Sequence, residues 1–162
     1  MNPFRLTFSG LLPAALAAGL LAAPLAAPLA AQDAAPMASS TPAKVAIHVD
    51  QDDPATMNMA LNNAANIAKH YGDLGQEVVI EIVTYGPGVH MLREDTSPVA
   101  DRIGMMAMEM DNISFSVCLN TVEAMEQKAK KDVPLLEEAT EVPSGAVRLM
   151  ELQQQGYAYL RP

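Results

Sequence analysis

Beyond Ala43 the hydrophobic positions of this chain switch period repeatedly, alternating in short runs and recurring at spacings of three and four in longer ones. Lys44 to Val49 alternates and is β-branched, which predicts a first strand. It ends in the acidic run Asp50-Gln51-Asp52-Asp53. Asp53-Pro54 predicts a helix start, a capping side chain standing before a proline at the first helical position. Met57, Leu61, Ala64, Ala65 and Ala68 mark the buried stripe of that helix, which should run to about Tyr71 and stop at Gly72 and Gly75.

Glu77 to Thr84, EVVIEIVT, predicts a second strand apolar enough to be covered on both faces. Gly86-Pro87-Gly88 predicts a tight loop, Val89 to Leu92 a short helical turn, and Ser97-Pro98 the start of a helix through Met110. Val99, Ile103, Met106 and Met110 share a face of that helix. In DNISFSVCLNT, Asp111 to Thr121, a third strand from Ile113 to Val117 ends on Cys118 and opens into a helix. Asn120 is the predicted N-cap, with Glu123 three residues on completing a capping box, and the helix itself covers Val122 to about Lys131. A short strand near Thr140 to Val142, a helix from Gly145 to Gln155 capped by Ser144, and a last strand from Tyr157 to Leu160 complete the chain. Strands alternating with helices, without short hairpin signals, predict an α/β fold with a mostly parallel sheet of about five strands and helices on both sides.

Composition changes this picture at the N-terminus. Asn2 to Thr7 carries one positive charge, Arg5, and Leu11 to Ala31 is an uncharged alanine-leucine stretch, the pattern of a secretory signal peptide over residues 1–31. Small residues favour cleavage near Ala31. Pro13, Pro24 and Pro28 count against the competing reading of a membrane-spanning helix. Gln32 to Ala43, rich in Ala, Pro and Ser, reads as a flexible leader, and residues 44–162 as one domain. The expected location is periplasmic or secreted, without stable membrane association once the signal is removed.

Ten basic against 19 acidic residues give the 162-residue chain a net charge of −9, and removing Arg5 makes it one unit more negative. Nucleic acid and anionic membrane both need a basic face, so neither is an expected partner. The absence of Trp and a 4% aromatic content also argue against stacking on bases.

If the sheet is parallel, the loops Asp50 to Asp53, Tyr85 to His90 and Cys118 to Thr121 leave strand ends of one polarity and should converge. Cys118, the only cysteine, cannot form an internal disulfide. A thiol just before a helix N-terminus is favoured as thiolate, the form that does chemistry; a small apolar residue closing the core is the alternative. Nothing local supplies a cation, and Glu123 would oppose ionisation. His48 lies within a strand as a hydrogen-bonded core residue, His70 ends a helix, and only His90 sits in a candidate loop. Metal-ligand spacings such as C-x-x-C are absent, and no cofactor is expected. Met105, Met106, Met108 and Met110 raise a copper(I) reading, against which core packing stands as the simpler account. The acidic loop reads as a helix cap plus solvated carboxylates, and Gly86 and Gly88 as turn glycines, since no Lys-Ser/Thr ending follows them.

The segment SFSVCLNT resembles the strand-end cysteine motif of the DsrE/DsrF-like family, which includes the sulfur-relay subunits of the Tus and Dsr systems and the YchN-like proteins. ALNNAAN (Ala60 to Asn66), VTYGPGV (Val83 to Val89) and GYAYLRP (Gly156 to Pro162) resemble its exported branch. The resemblance implies a three-layer α/β/α domain that assembles into homo-oligomers. It also implies a persulfide on Cys118, exchanged with a sulfur-donor or acceptor protein; the converging loops offer Asn120, Thr121, His90, Gly86, Gly88 and Asp50 as supporting residues. The alternative function is a non-enzymatic oligomeric binding module with a structural cysteine.

Overall fold

The structure is a computed structural model that describes residues 41–162. The segments expected as signal peptide and, through residue 40, most of the leader lie outside the described residues. Five strands, β1 (Ala43–Val49), β2 (Val78–Thr84), β3 (Ile113–Cys118), β4 (Ala139–Val142) and β5 (Ala158–Leu160), form one sheet in the order β4-β3-β2-β1-β5. Every pairing is parallel. Four α-helices connect them: α1 (Pro54–Asp73), α2 (Ala100–Glu109), α3 (Leu119–Ala129) and α4 (Gly145–Gln154). A 3₁₀ helix, Gly86–Leu92, follows β2.

That strand order decides which face each helix covers. From β1 to β4 the chain steps one strand at a time in one direction, and right-handed crossovers then put α1, α2 and α3 on the same face. The return from β4 to β5 reverses direction, so α4 alone crosses the opposite face. The apolar clusters record this. Met57 and Leu61 of α1, Ile103 of α2 and Val122 of α3 pack with Val45, Ile47, Ile80, Ile82, Phe115 and Val117 in the main core. Leu149 and Leu152 of α4 meet Ala46 and Val83 in a smaller one. Alternation along each strand makes the α4 face the polar one: it receives His48 from β1, Glu81 from β2, and Ser116 and Cys118 from β3.

Several local expectations meet their physical reasons here. Asp53 caps α1, its Oδ2 accepting from the Thr56 N–H and hydroxyl at 2.8 Å each, and Pro54 is the first helical residue. The Thr56 hydroxyl is the larger of the bonds that hold the Asp53 carboxyl below its ordinary value. Gly86-Pro87-Gly88 does not form a separate loop but enters the 3₁₀ helix. Gly86 starts it at φ +52, and a Cβ on Gly88 would run into the Val49 carbonyl and the Asp50 Cα. α2 begins at Ala100, later than predicted, because the Ser97 hydroxyl is committed to a turn: it donates to Met91 O at 2.6 Å and accepts from Val99 N–H at 3.3 Å. Met106 is buried on α2 while Met105 and Met108 are exposed, so the methionines divide between core and surface. Among the described residues no helix is long and apolar enough to cross a membrane.

Candidate functional site

β3 runs into α3 with no loop between them. Cys118 is both the last strand residue and the N-cap position, with extended backbone (φ −75, ψ 110). This corrects the expectation that Asn120 caps the helix with Glu123. Asn120 is the second residue of α3, and its N–H donates to Pro143 O at 3.3 Å at the end of β4. One orphan donor of the helix start is thereby satisfied across the sheet, and a side-chain cap has less to do.

β3 and β4 are neighbours whose connections leave on opposite faces, β3 into α3 and β4 into α4. Such a reversal opens a crevice beyond the strand ends, flanked by two helix N-termini. Cys118 sits in it. Burial, the largest influence on the 4%-exposed thiol, opposes ionisation. The Thr121 hydroxyl, then the N–H groups of Gly145, Thr121 and Asn120, outweigh it and hold the thiol below its ordinary value of 9.0. The Cys118 side chain makes no capping hydrogen bond to α3, and the three N–H groups act on it as the positive ends of helix starts. Two come from the first turn of α3 and one from the first residue of α4, so both helix termini supply positive potential to one sulfur.

The Thr121 side chain joins two loops. Gly86 N–H donates to Thr121 Oγ1 at 3.1 Å, which leaves the hydroxyl hydrogen for the sulfur. α4 reaches the site because its first residue lacks a side chain. A Cβ on Gly145 would stand 3.0 Å from Tyr85 Cβ and 3.2 Å from Thr84 O.

Asp50, His90 and Gly88 belong to a neighbouring network beyond β1. Asp50 pairs with Arg161 at 2.8 Å and lies 3.9 Å from His48 Nε2. His90 contacts Thr96 Oγ1 at 2.8 Å and Asp52 at 3.9 Å. His48, 4% exposed, bonds Tyr159 Oη through Nδ1 at 2.7 Å and stacks on Tyr85 with ring centroids 4.5 Å apart. Its Nε2 is buried without a hydrogen-bond partner. Burial is the main reason its pKa falls below 6.5, partly offset by Asp50. Tyr85 is held above its ordinary value first by burial and then by the Asp50 charge. Of the six predicted supporting residues, the structure groups Thr121, the Asn120 backbone and, through Thr121, Gly86 with the cysteine, while Asp50, His90 and Gly88 make their contacts at the end of β1. Gly145 was the participant unforeseen from sequence; Pro143-Ser144-Gly145 at a fourth strand end was the available signal.

Among the described residues no group of three or more His, Cys, Asp or Glu side chains is placed to hold a metal ion. A cleft of about 280 Å³ lined by Val142, Pro143, Ser144, Val147, Arg148 and Glu151 adjoins the α4 start. A cleft of about 450 Å³ lies instead at the amino ends of β2 and β3, away from the sulfur.

Residues 43–162 match the DsrE/DsrF-like family. A solved structure of a protein of unknown function from Methanobacterium thermoautotrophicum is similar to this chain, with 30% identity and a TM-score of 0.63. The match covers 74% of this chain and 99% of that one. No curated protein matches.

Proposed function

The chain belongs to the DsrE/DsrF-like family, and from that premise we propose that it is an exported member whose Cys118 accepts sulfane sulfur and hands it on as a persulfide. The observation that carries this reading is the electrostatic setting of Cys118: the Thr121 hydroxyl and N–H groups from two helix starts favour the thiolate against the effect of burial. An inert cysteine closing a core gains nothing from such a setting. Export is supported by the uncharged Ala/Leu stretch before Gln32.

With a thiosulfonate donor the step balances. The Cys118 thiolate attacks the outer, sulfane sulfur; a new S–S bond forms at Sγ. The bond from that sulfur to the sulfonyl sulfur breaks, and a sulfinate leaves with the electron pair. The donor supplies the oxidising equivalent. At 4% exposure the thiol suits a small donor, or an acceptor protein that displaces the α4 start.

The test is intact-protein mass after exposure to polysulfide or thiosulfonate. A gain of one sulfur atom, absent in Cys118→Ser, is expected; a thiol that takes up none refutes the assignment.

A second reading, an oligomeric binding module with a structural cysteine, is favoured by Val147 and Met150, 51% and 60% exposed on α4. Homo-oligomers are compatible with both readings. Light scattering showing a dilution-resistant monomer, or loss of function in Cys118→Ala, would count against the module.

A further inference from the structure

Glu81 is a carboxylate 4% exposed in the middle of a parallel sheet, a position where burial is costly unless the charge is paired. It is fully engaged. Ser116 Oγ donates to Oε1 at 2.6 Å, and Arg148 of α4 donates from Nε to Oε1 and from Nη2 to Oε2, both at 2.7 Å. Adhesion alone does not require this arrangement, since apolar residues of similar volume hold a helix to a sheet at least as well as a buried ion pair. A bidentate fork adds something else: it fixes the helix in rotation and translation together.

What it fixes is the start of α4. Arg148 and Gly145 are three residues apart and share a helix face. Ser116 and Cys118 are two apart and share the sheet face toward α4. The clamp between Arg148, Glu81 and Ser116 thus lies one helical turn along α4 from Gly145 and two residues along β3 from Cys118. Gly145 is pressed against Tyr85 Cβ and Thr84 O, so the approach is close and leaves little play.

We propose that Glu81 and Arg148 are positioning residues for the cysteine site, seating α4 so that its first N–H meets Cys118. The inference rests on the sulfur-handling reading for its biological meaning and deepens it by naming what holds the thiolate's environment in place. Neither residue touches the reacting atom.

The experiment measures alkylation of Cys118 by iodoacetamide across pH in the full chain, followed by mass. Glu81→Gln separates positioning from plain charge. It releases Arg148 from its fork and leaves on α4 a cation whose remaining partner is Glu151, 3.7 Å away. If α4 positioning matters, the midpoint of the profile rises by about one unit, or about tenfold less thiolate at pH values below the midpoint. If Arg148 acts only as a nearby charge, the midpoint falls, which overturns the proposal; an unchanged midpoint overturns it too.

The double variant Glu81→Gln/Arg148→Met removes both charges and guards against misfolding from an unpaired one. A raised midpoint is expected here also, and a wild-type midpoint contradicts the proposal. Leu61→Ala, on α1 across the sheet from α4, should lower the melting temperature without moving the midpoint. An equal shift there would mean that general loosening, not α4 placement, is being read. No sulfur donor enters these measurements. Loss of sulfur uptake in the wild type would therefore sink the proposed function while leaving this result standing.

Discussion

Replacing Thr121 by Val removes one hydroxyl and keeps the shape, and that hydroxyl has two duties. It accepts from Gly86 N–H at 3.1 Å and is the strongest of the groups that lower the Cys118 pKa. A hydrogen bond to a charged group contributes about 1.5–3 kcal/mol, which at 1.36 kcal/mol per unit raises the thiol pKa by about one to two units. The rate changes less than the thiolate population, because a more basic thiolate is more nucleophilic. With a Brønsted slope of about 0.4–0.5, each unit costs about three- to fourfold in alkylation rate below the midpoint, so Thr121→Val should react about 3- to 15-fold more slowly there. Gly86 is only half buried and can turn to water, so the stability loss should stay near 1 kcal/mol. Thr121→Ser keeps the hydroxyl and should behave as wild type. The assay is the iodoacetamide profile with a parallel urea titration. A Val variant whose profile superimposes on wild type would refute the assignment of that hydroxyl to the sulfur.

Gly88→Ala forces a Cβ 2.6 Å from the Val49 carbonyl carbon and 2.9 Å from Asp50 Cα, both backbone atoms that cannot yield alone. It should cost about 3 kcal/mol or more in urea unfolding; a loss under 1 kcal/mol would mean the 3₁₀ helix is free to shift. His48 is held below its ordinary value of 6.5 mainly by burial, with Asp50 opposing and Arg161 reinforcing that shift. The unfolded chain therefore binds the proton first: stability from this residue is complete above pH 6.5 and is lost as pH falls below it toward the folded value. Urea titrations between pH 5 and 8 should show that decline in the wild type and a shallower one in His48→Gln, and matching slopes would dismiss it.

The parts of this fold legible in the sequence are those written by local periodicity and local chemistry. β1 follows from β-branched alternation, β2 from a nearly continuous apolar run, β3 from its β-branched and aromatic residues, and α1 from Asp53-Pro54 with its spaced Met57, Leu61 and Ala64. The cysteine at a strand end is also a local fact. The Asn120 capping box was not realised, because β3 enters α3 directly and Pro143 O, from another strand, takes the Asn120 N–H. Other misses are likewise long-range. Glu81 and Arg148 are 67 residues apart, and Gly145 reaches Cys118 only because β4 lies beside β3. Strand order carries no signature in local pattern. Without it, the loops carrying Asp50 and His90 could be expected only to converge toward the Cys118 end of the sheet, and β2 in fact stands between β1, which Asp50 follows, and β3.

The central claim is that Cys118 is a stabilised thiolate that takes up sulfane sulfur. Its most direct test is the intact mass of the purified protein after a thiosulfonate pulse at neutral pH. The account predicts a gain of one sulfur atom on Cys118, reversed by a small thiol, slowed in Thr121→Val and absent in Cys118→Ser. An unchanged mass under conditions where iodoacetamide does modify Cys118 would contradict it.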